Sequence, residues 1–154
     1  MRFLLMSCFF CLSCTSTPDP LRDSAPDIKS QYSSGKKIVM VSHPHCHFSR
    51  NALTKMDPEI KTALQERGLI LAPIQELNRD EHLSGVLEWN QENPKLIHTP
   101  VLDTMELENI DLTQMPQFYF FSEGELSGKV IGWPKDGSNA QWVRNEMKKL
   151  FTKK

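Results

Sequence analysis

Two short, uninterrupted apolar runs limit the folds open to this chain: Ile38 to Val41 within KKIVMVS, and LILAPI over residues 69–74. A strand buried on both faces reads this way, whereas a strand with one wet face alternates. Between the runs, Phe48, Leu53, Met56, Ile60 and Leu64 follow helical spacing, and Gly68 stops the pattern. Asp57-Pro58 interrupts it, with Asp57 able to cap and Pro58 at a first-turn position, so the helix kinks or restarts there. Strand, helix and strand at this spacing predict a right-handed βαβ unit with parallel strands.

The rest of the chain extends that unit. Residues 79–93 place Leu83, Val86, Leu87 and Asn90 on one helical face despite Gly85, and Pro94 ends the helix. LIHTPVL holds a short strand. QFYFF (117–121) and GKVIGW (128–133) read as strands joined by SEGELS, a hairpin connection containing Gly124. SNAQWVRNEMKKLF reads as a closing helix with Ser138 as cap and Trp142, Met147 and Leu150 in the core. The order β-α-β-α-β-β-β-α predicts an α/β domain with a central mixed sheet flanked by helices. Phe118, Phe120 and Trp133 are expected to fill the core, with Trp89 and Trp133 as alternative lining for a peptide-binding surface. A formal net charge of −1 over 154 residues gives no electrostatic footprint for nucleic acid.

The first fourteen residues, MRFLLMSCFFCLSC, stand outside this domain. Arg2 and the apolar stretch Phe3 to Leu12 have the form of a signal peptide, too short to span a bilayer. Leu12-Ser13-Cys14 resembles a bacterial lipoprotein signal, which implies lipid on Cys14; an ordinary cleaved signal is the alternative. Residues 15–35, rich in Ser, Thr, Pro and Asp, read as a disordered tether with a reach of roughly 25 Å. The domain is then 36–154. Cys8 and Cys11 leave with the signal, so Cys46 is the one free thiol of the mature chain and no internal disulfide can form. A lone thiol in an exported, oxidising compartment calls for a chemical reason.

That thiol lies in SHPHCHFSR, between the first strand and the first helix, at the edge where α/β sheets gather reactive groups. A helix start favours a thiolate, and His45 and His47 flank it as tuning groups. His43, His45 and His47 alternate, and with Cys46 they offer an alternative donor set for copper or zinc. The i, i+2 spacing is not that of a structural zinc site. His82 and His98 read as surface histidines.

HPHCHFSR after KKIVMVS resembles the active-site turn of the thioredoxin-like superfamily, in particular its periplasmic disulfide-exchange branch. The resemblance covers about residues 36 to 151. Cys46 matches the attacking cysteine, Phe48 the aromatic residue and Arg50 the basic one, while Ser49 stands where a resolving cysteine belongs. MPQFYFF resembles the segment carrying a cis-proline. Pro116 would then position substrate, with Met115 and Phe48 contacting it. The distance from Cys46 to Pro116 implies an insertion around residues 75–114.

Ser49 sets the chemistry. A mixed disulfide formed by a thiolate is released only when a second thiol attacks it. Ser49 cannot attack, although it can donate a hydrogen bond to the Cys46 thiolate. The resemblance thus implies exchange or isomerisation on envelope proteins with an external thiol as resolving partner. It also implies a periplasmic location, anchored by lipid with the outer membrane favoured, and no cofactor. A redox-inactive binding or assembly module and a copper or zinc chaperone are the competing readings.

Overall fold

The computed structural model describes residues 19–134 and 138–152; the signal segment, with Cys8, Cys11 and Cys14, lies outside the described residues. Strand β1 (Lys36–Val41) runs parallel to β2 (Gly68–Ile74), and β3 (His98–Leu102) runs parallel to β2 on its far side. Strands β4 (Gln117–Ser122) and β5 (Glu125–Ile131) add antiparallel on the other side of β1, giving the order β3-β2-β1-β4-β5. The apolar runs therefore occupy the centre of the sheet, as continuous hydrophobicity requires. Glu123 and Gly124, with φ of 51° and 81°, form a two-residue hairpin turn that suits the strand twist. That tight turn starts β5 three residues earlier than the run GKVIGW suggests.

The helical pattern after β1 is two helices. α2 (His47–Thr54) ends before Asp57, and α3 (Pro58–Arg67) starts after it. Asp57 Oδ1 accepts from Glu59 N–H at 2.9 Å, and Oδ2 pairs with Arg144 on the last helix at 2.9 Å. One carboxylate thus caps α3 and ties it to α5 (Ala140–Thr152). α4 (Arg79–Glu92) follows β2 through a 3-10 turn at Glu76–Asn78. Successive right-handed crossovers in one direction place α2, α3 and α4 on the same face. Ile38, Met40, Ile70, Phe118 and Phe120 pack there with Ile60, Leu64, Val143 and Leu150.

The opposite face is covered by something the sequence pattern does not announce. Within the stretch expected to be a tether, residues 25–32 form helix α1 (Ala25–Tyr32). Ile28 and Tyr32, four residues apart, are buried against Val39, Val41, Leu71, Tyr119 and Phe121. Two large apolar side chains on one face suffice when a hydrophobic sheet is waiting, so the tether reading is corrected for this part. The 103–116 connection covers the remainder through Leu107, Ile110 and Leu112. The region around 75–114 thus holds the 3-10 turn, α4, β3 and most of that connection.

Several side chains leave the expected core. Trp142 is 67% exposed and Phe48 50% exposed, because each lies on the outer face of its helix. Leu87 is exposed while Val86 is buried. Trp133 is buried and Trp89 packs against the core, so Trp133 lines no surface.

Candidate functional site

β1 delivers the chain to the carboxyl edge of the sheet, where Ser42 N–H donates to Leu71 O at 2.8 Å. The chain must then turn sharply into α2, and His43 supplies the bonds that hold the turn. Its N–H donates to Ser49 Oγ (3.2 Å), its carbonyl accepts from Cys46 N–H (3.0 Å), and its Nδ1 accepts from His45 N–H (3.1 Å). With only 3% of its surface exposed, His43 is a structural centre of the turn. Sequence reasoning had it only as a metal ligand, because no local periodicity marks a buried histidine in a turn.

Cys46 follows as the N-cap residue of α2, half-buried and in extended conformation, with no capping bond from its side chain. Cys46 therefore precedes the first turn of α2, whose amide N–H groups have no partner within the helix. Ser49 is fully buried, and its oxygen accepts from His43 N–H at 3.2 Å, so it supports the turn in addition to any bond its own O–H makes. A buried backbone N–H left without an acceptor costs about 1–3 kcal/mol, and Ser49 removes that penalty.

Folding brings a fourth histidine to the turn. His82, on α4, has its ring centroid 4.8 Å from that of His43 and 6.1 Å from that of His45, while His43 and His45 are 5.3 Å apart. Gly85 makes this approach possible: a Cβ there would fall 2.1 Å from His45 Nε2. An isolated glycine inside a helical pattern was the signal available, since such glycines mark close packing. Burial, then the nearby His82 and His45, hold the His43 pKa down to about 4, so this ring is neutral at pH 7. His47 points elsewhere, with its ring against Phe48 at 5.8 Å.

Two of these histidines, His43 and His82, already have one ring nitrogen engaged as an acceptor. A ligating imidazole donates its other N–H outward to an acceptor. Here His43 Nδ1 and His82 Nδ1 both accept from backbone N–H groups, the latter from Gln75 at 3.4 Å. Among the described residues, no three His, Cys, Asp or Glu side chains stand in position to hold an ion.

A pocket of about 450 Å³ opens at the thiol, lined by Cys46, His43, His45, His82, Asp103 and Met115. The Met115–Pro116 peptide bond is cis, the geometry that the sequence resemblance implies, and Pro116 is buried. The loop before it is held by Gln117, whose Nε2 donates to Asp111 O (2.9 Å) and Gln114 O (2.8 Å). Tyr119 O–H donates to Gln117 Oε1 at 2.9 Å and fixes that side chain. The structure therefore brings Cys46, His45 and Met115 to one cavity and leaves His47 and Phe48 outside its lining. A larger cavity, about 840 Å³, lies along the 103–113 connection and contains neither Cys46 nor Pro116.

His98 is buried rather than at the surface. Its Nε2 lies 3.3 Å from Ser42 Oγ, its ring meets Trp89 edge-on, and its backbone N–H and C=O both bond Asn90. Burial holds its pKa down to about 4. Unfolded His98 takes up a proton near pH 6.5 while the folded form resists until about pH 4, so acid favours unfolding across that window. His98 is expected to contribute its full stabilisation above pH 6.5 and to lose on the order of 3 kcal/mol by pH 4. Urea midpoints against pH check this: His98→Gln should flatten the curve only in that window, and parallel curves would refute it.

No protein-family model and no curated protein sequence matches the chain. Solved structures do. A thioredoxin-like protein in its oxidised form aligns over 75% of this chain and 80% of its own, with 16% identity and a TM-score of 0.52. A thioredoxin-family thiol:disulfide interchange protein from Chlorobium tepidum TLS aligns over 77% and 83%, with 19% identity and a TM-score of 0.49. StoA from Bacillus subtilis aligns over 71% and 83%, with 19% identity and a TM-score of 0.46. With its five-stranded mixed sheet, its helices and the turn at Cys46, the chain has a thioredoxin-like fold.

Proposed function

We propose that this protein carries out thiol–disulfide exchange or isomerisation through the single thiol of Cys46, on envelope proteins that carry cysteines or disulfides. The observation that carries this reading is the unbonded Cys46 side chain at the start of α2, lining a pocket with Met115 beside cis-Pro116. Cys46 thiolate attacks a partner disulfide, forms the mixed disulfide and releases one partner thiolate. An external thiol then attacks the mixed disulfide and restores Cys46, since Ser49 offers no sulfur. His45 and His43 shape the pocket wall, and Met115 and Phe48 contact the partner chain. The apolar N-terminus directs export, and lipid on Cys14 holds the protein on the periplasmic side of the envelope, with the outer membrane favoured. Among the described residues no helix is long and apolar enough to cross a membrane.

The test is a reaction with a chromogenic aromatic disulfide at neutral pH. The protein is expected to release one equivalent of thiolate and to retain one adduct, which persists until an external thiol is added. Cys46→Ala should release none. Equal release by both proteins, or none by either, would remove the thiol reading and leave a binding module.

A further inference from the structure

Helix α1 changes where the domain hangs from its anchor. A disordered tether ending at residue 35 would attach at the start of β1, on the edge of the sheet opposite Cys46. The structure places the attachment at the other edge. Asp19, the first described residue, holds Arg79 through two bonds of 2.6 and 2.9 Å. That pair holds the Asp19 pKa down to about 2 and keeps the carboxylate ionised. Leu21 packs beside Ala72, Ile74 and Val86, at the carboxyl end of β2. From there α1 runs back across the sheet to the hairpin turn, where Glu123 N–H donates to Gly35 O at 2.8 Å. Only then does β1 return to Cys46. The chain enters the domain at the same edge as the thiol.

Four residues separate Cys14 from Asp19, and the five steps between them span at most about 18 Å, whatever their conformation. The edge they lead to carries exposed apolar side chains. Leu77, in the 3-10 turn two residues before Arg79, is 98% exposed, and half-exposed Phe48 stands two residues after Cys46. Exposed apolar groups beside an anchor suit insertion at the lipid headgroup boundary. We infer that the anchored protein lies with the carboxyl edge of its sheet against the lipid surface, so that Cys46 works on disulfides held at that surface. This rests on the lipid anchor at Cys14 proposed above.

The test uses the full lipidated chain in phosphatidylcholine vesicles containing a phosphatidylethanolamine with a maleimide headgroup. Two single-thiol forms, Leu77→Cys and Glu123→Cys, are compared in a Cys46→Ser background. Each crosslinking rate is divided by the same thiol's rate with water-soluble N-ethylmaleimide. The normalised rate at position 77 is expected to exceed that at position 123 by at least about tenfold, since a β1-length strand of roughly 20 Å separates the two edges. A ratio near one, or inverted, on protein whose mass shows the lipid overturns the orientation alone. Protein purified from membranes with an unmodified Cys14 overturns the anchor and the orientation together. Protection of position 77 from both reagents in native membranes, but not in vesicles, assigns the edge to a protein partner and likewise overturns the lipid reading.

Discussion

Tyr32→Ala is expected to destabilise the domain by about 3–5 kcal/mol, the range for removing a large buried aromatic side chain. Tyr32 is 2% exposed, and its ring centroid lies 4.6 Å from that of Phe121 on the sheet. Its hydroxyl leans on Glu108 O at 3.4 Å, so the side chain also bridges α1 to the 103–116 connection. Truncation would open a cavity between α1, β4 and that connection. Only part of the lost contact can be recovered, because α1 is also held by buried Ile28 and by the pairing of Lys29 with Glu108. Urea unfolding at neutral pH, followed by tryptophan fluorescence, measures the change. A loss below about 1 kcal/mol would mean that α1 does not cover the sheet in solution, and the segment would revert to a tether.

The second large effect concerns Ser49. Ser49→Cys is expected to shorten the lifetime of a Cys46 mixed disulfide at least about a hundredfold relative to 1 mM external thiol, because attack becomes intramolecular. N-cap and N3 side chains meet across the first turn of a helix, which puts the new sulfur in reach of Cys46. The reaction closes a bond between positions 46 and 49 and expels the partner as a thiol, so no external reductant enters that step. Sulfur is a weak acceptor, so the variant also loses the bond from His43 N–H and about 1–3 kcal/mol of stability. Adduct decay read by mass spectrometry decides the matter. An unchanged lifetime in folded protein would show that the His43 turn holds position 49 away from the thiol.

Both predictions turn on residues whose roles lie at different distances from the local pattern. The parallel βαβ core was legible because its signal is local: Ile38–Val41 and Leu69–Ile74 are continuously apolar, and Asp57-Pro58 breaks the helix between them by cap and ring geometry. Cys46 was legible as a reactive candidate because a strand end followed by a helix start fixes where it sits in any α/β sheet. The tight Glu123-Gly124 turn and the restart at Pro58 refine those readings without changing them.

The remaining features depend on partners distant in sequence. Ser49 read only as a partner for the thiol, yet its oxygen also accepts from the backbone N–H of His43, a bond that no local pattern announces. His82 joins the pocket from α4 only because Gly85 lets that helix approach His45. Ile28 and Tyr32 are two apolar residues in a polar stretch, too few to declare a helix, and they order it only once a sheet face is there to receive them. Periodicity, caps and breakers, which act within a few residues, thus set the elements and the place of the thiol. Which histidines line the pocket of that thiol, and at which edge the chain enters, followed from burial between segments that are neighbours only after folding.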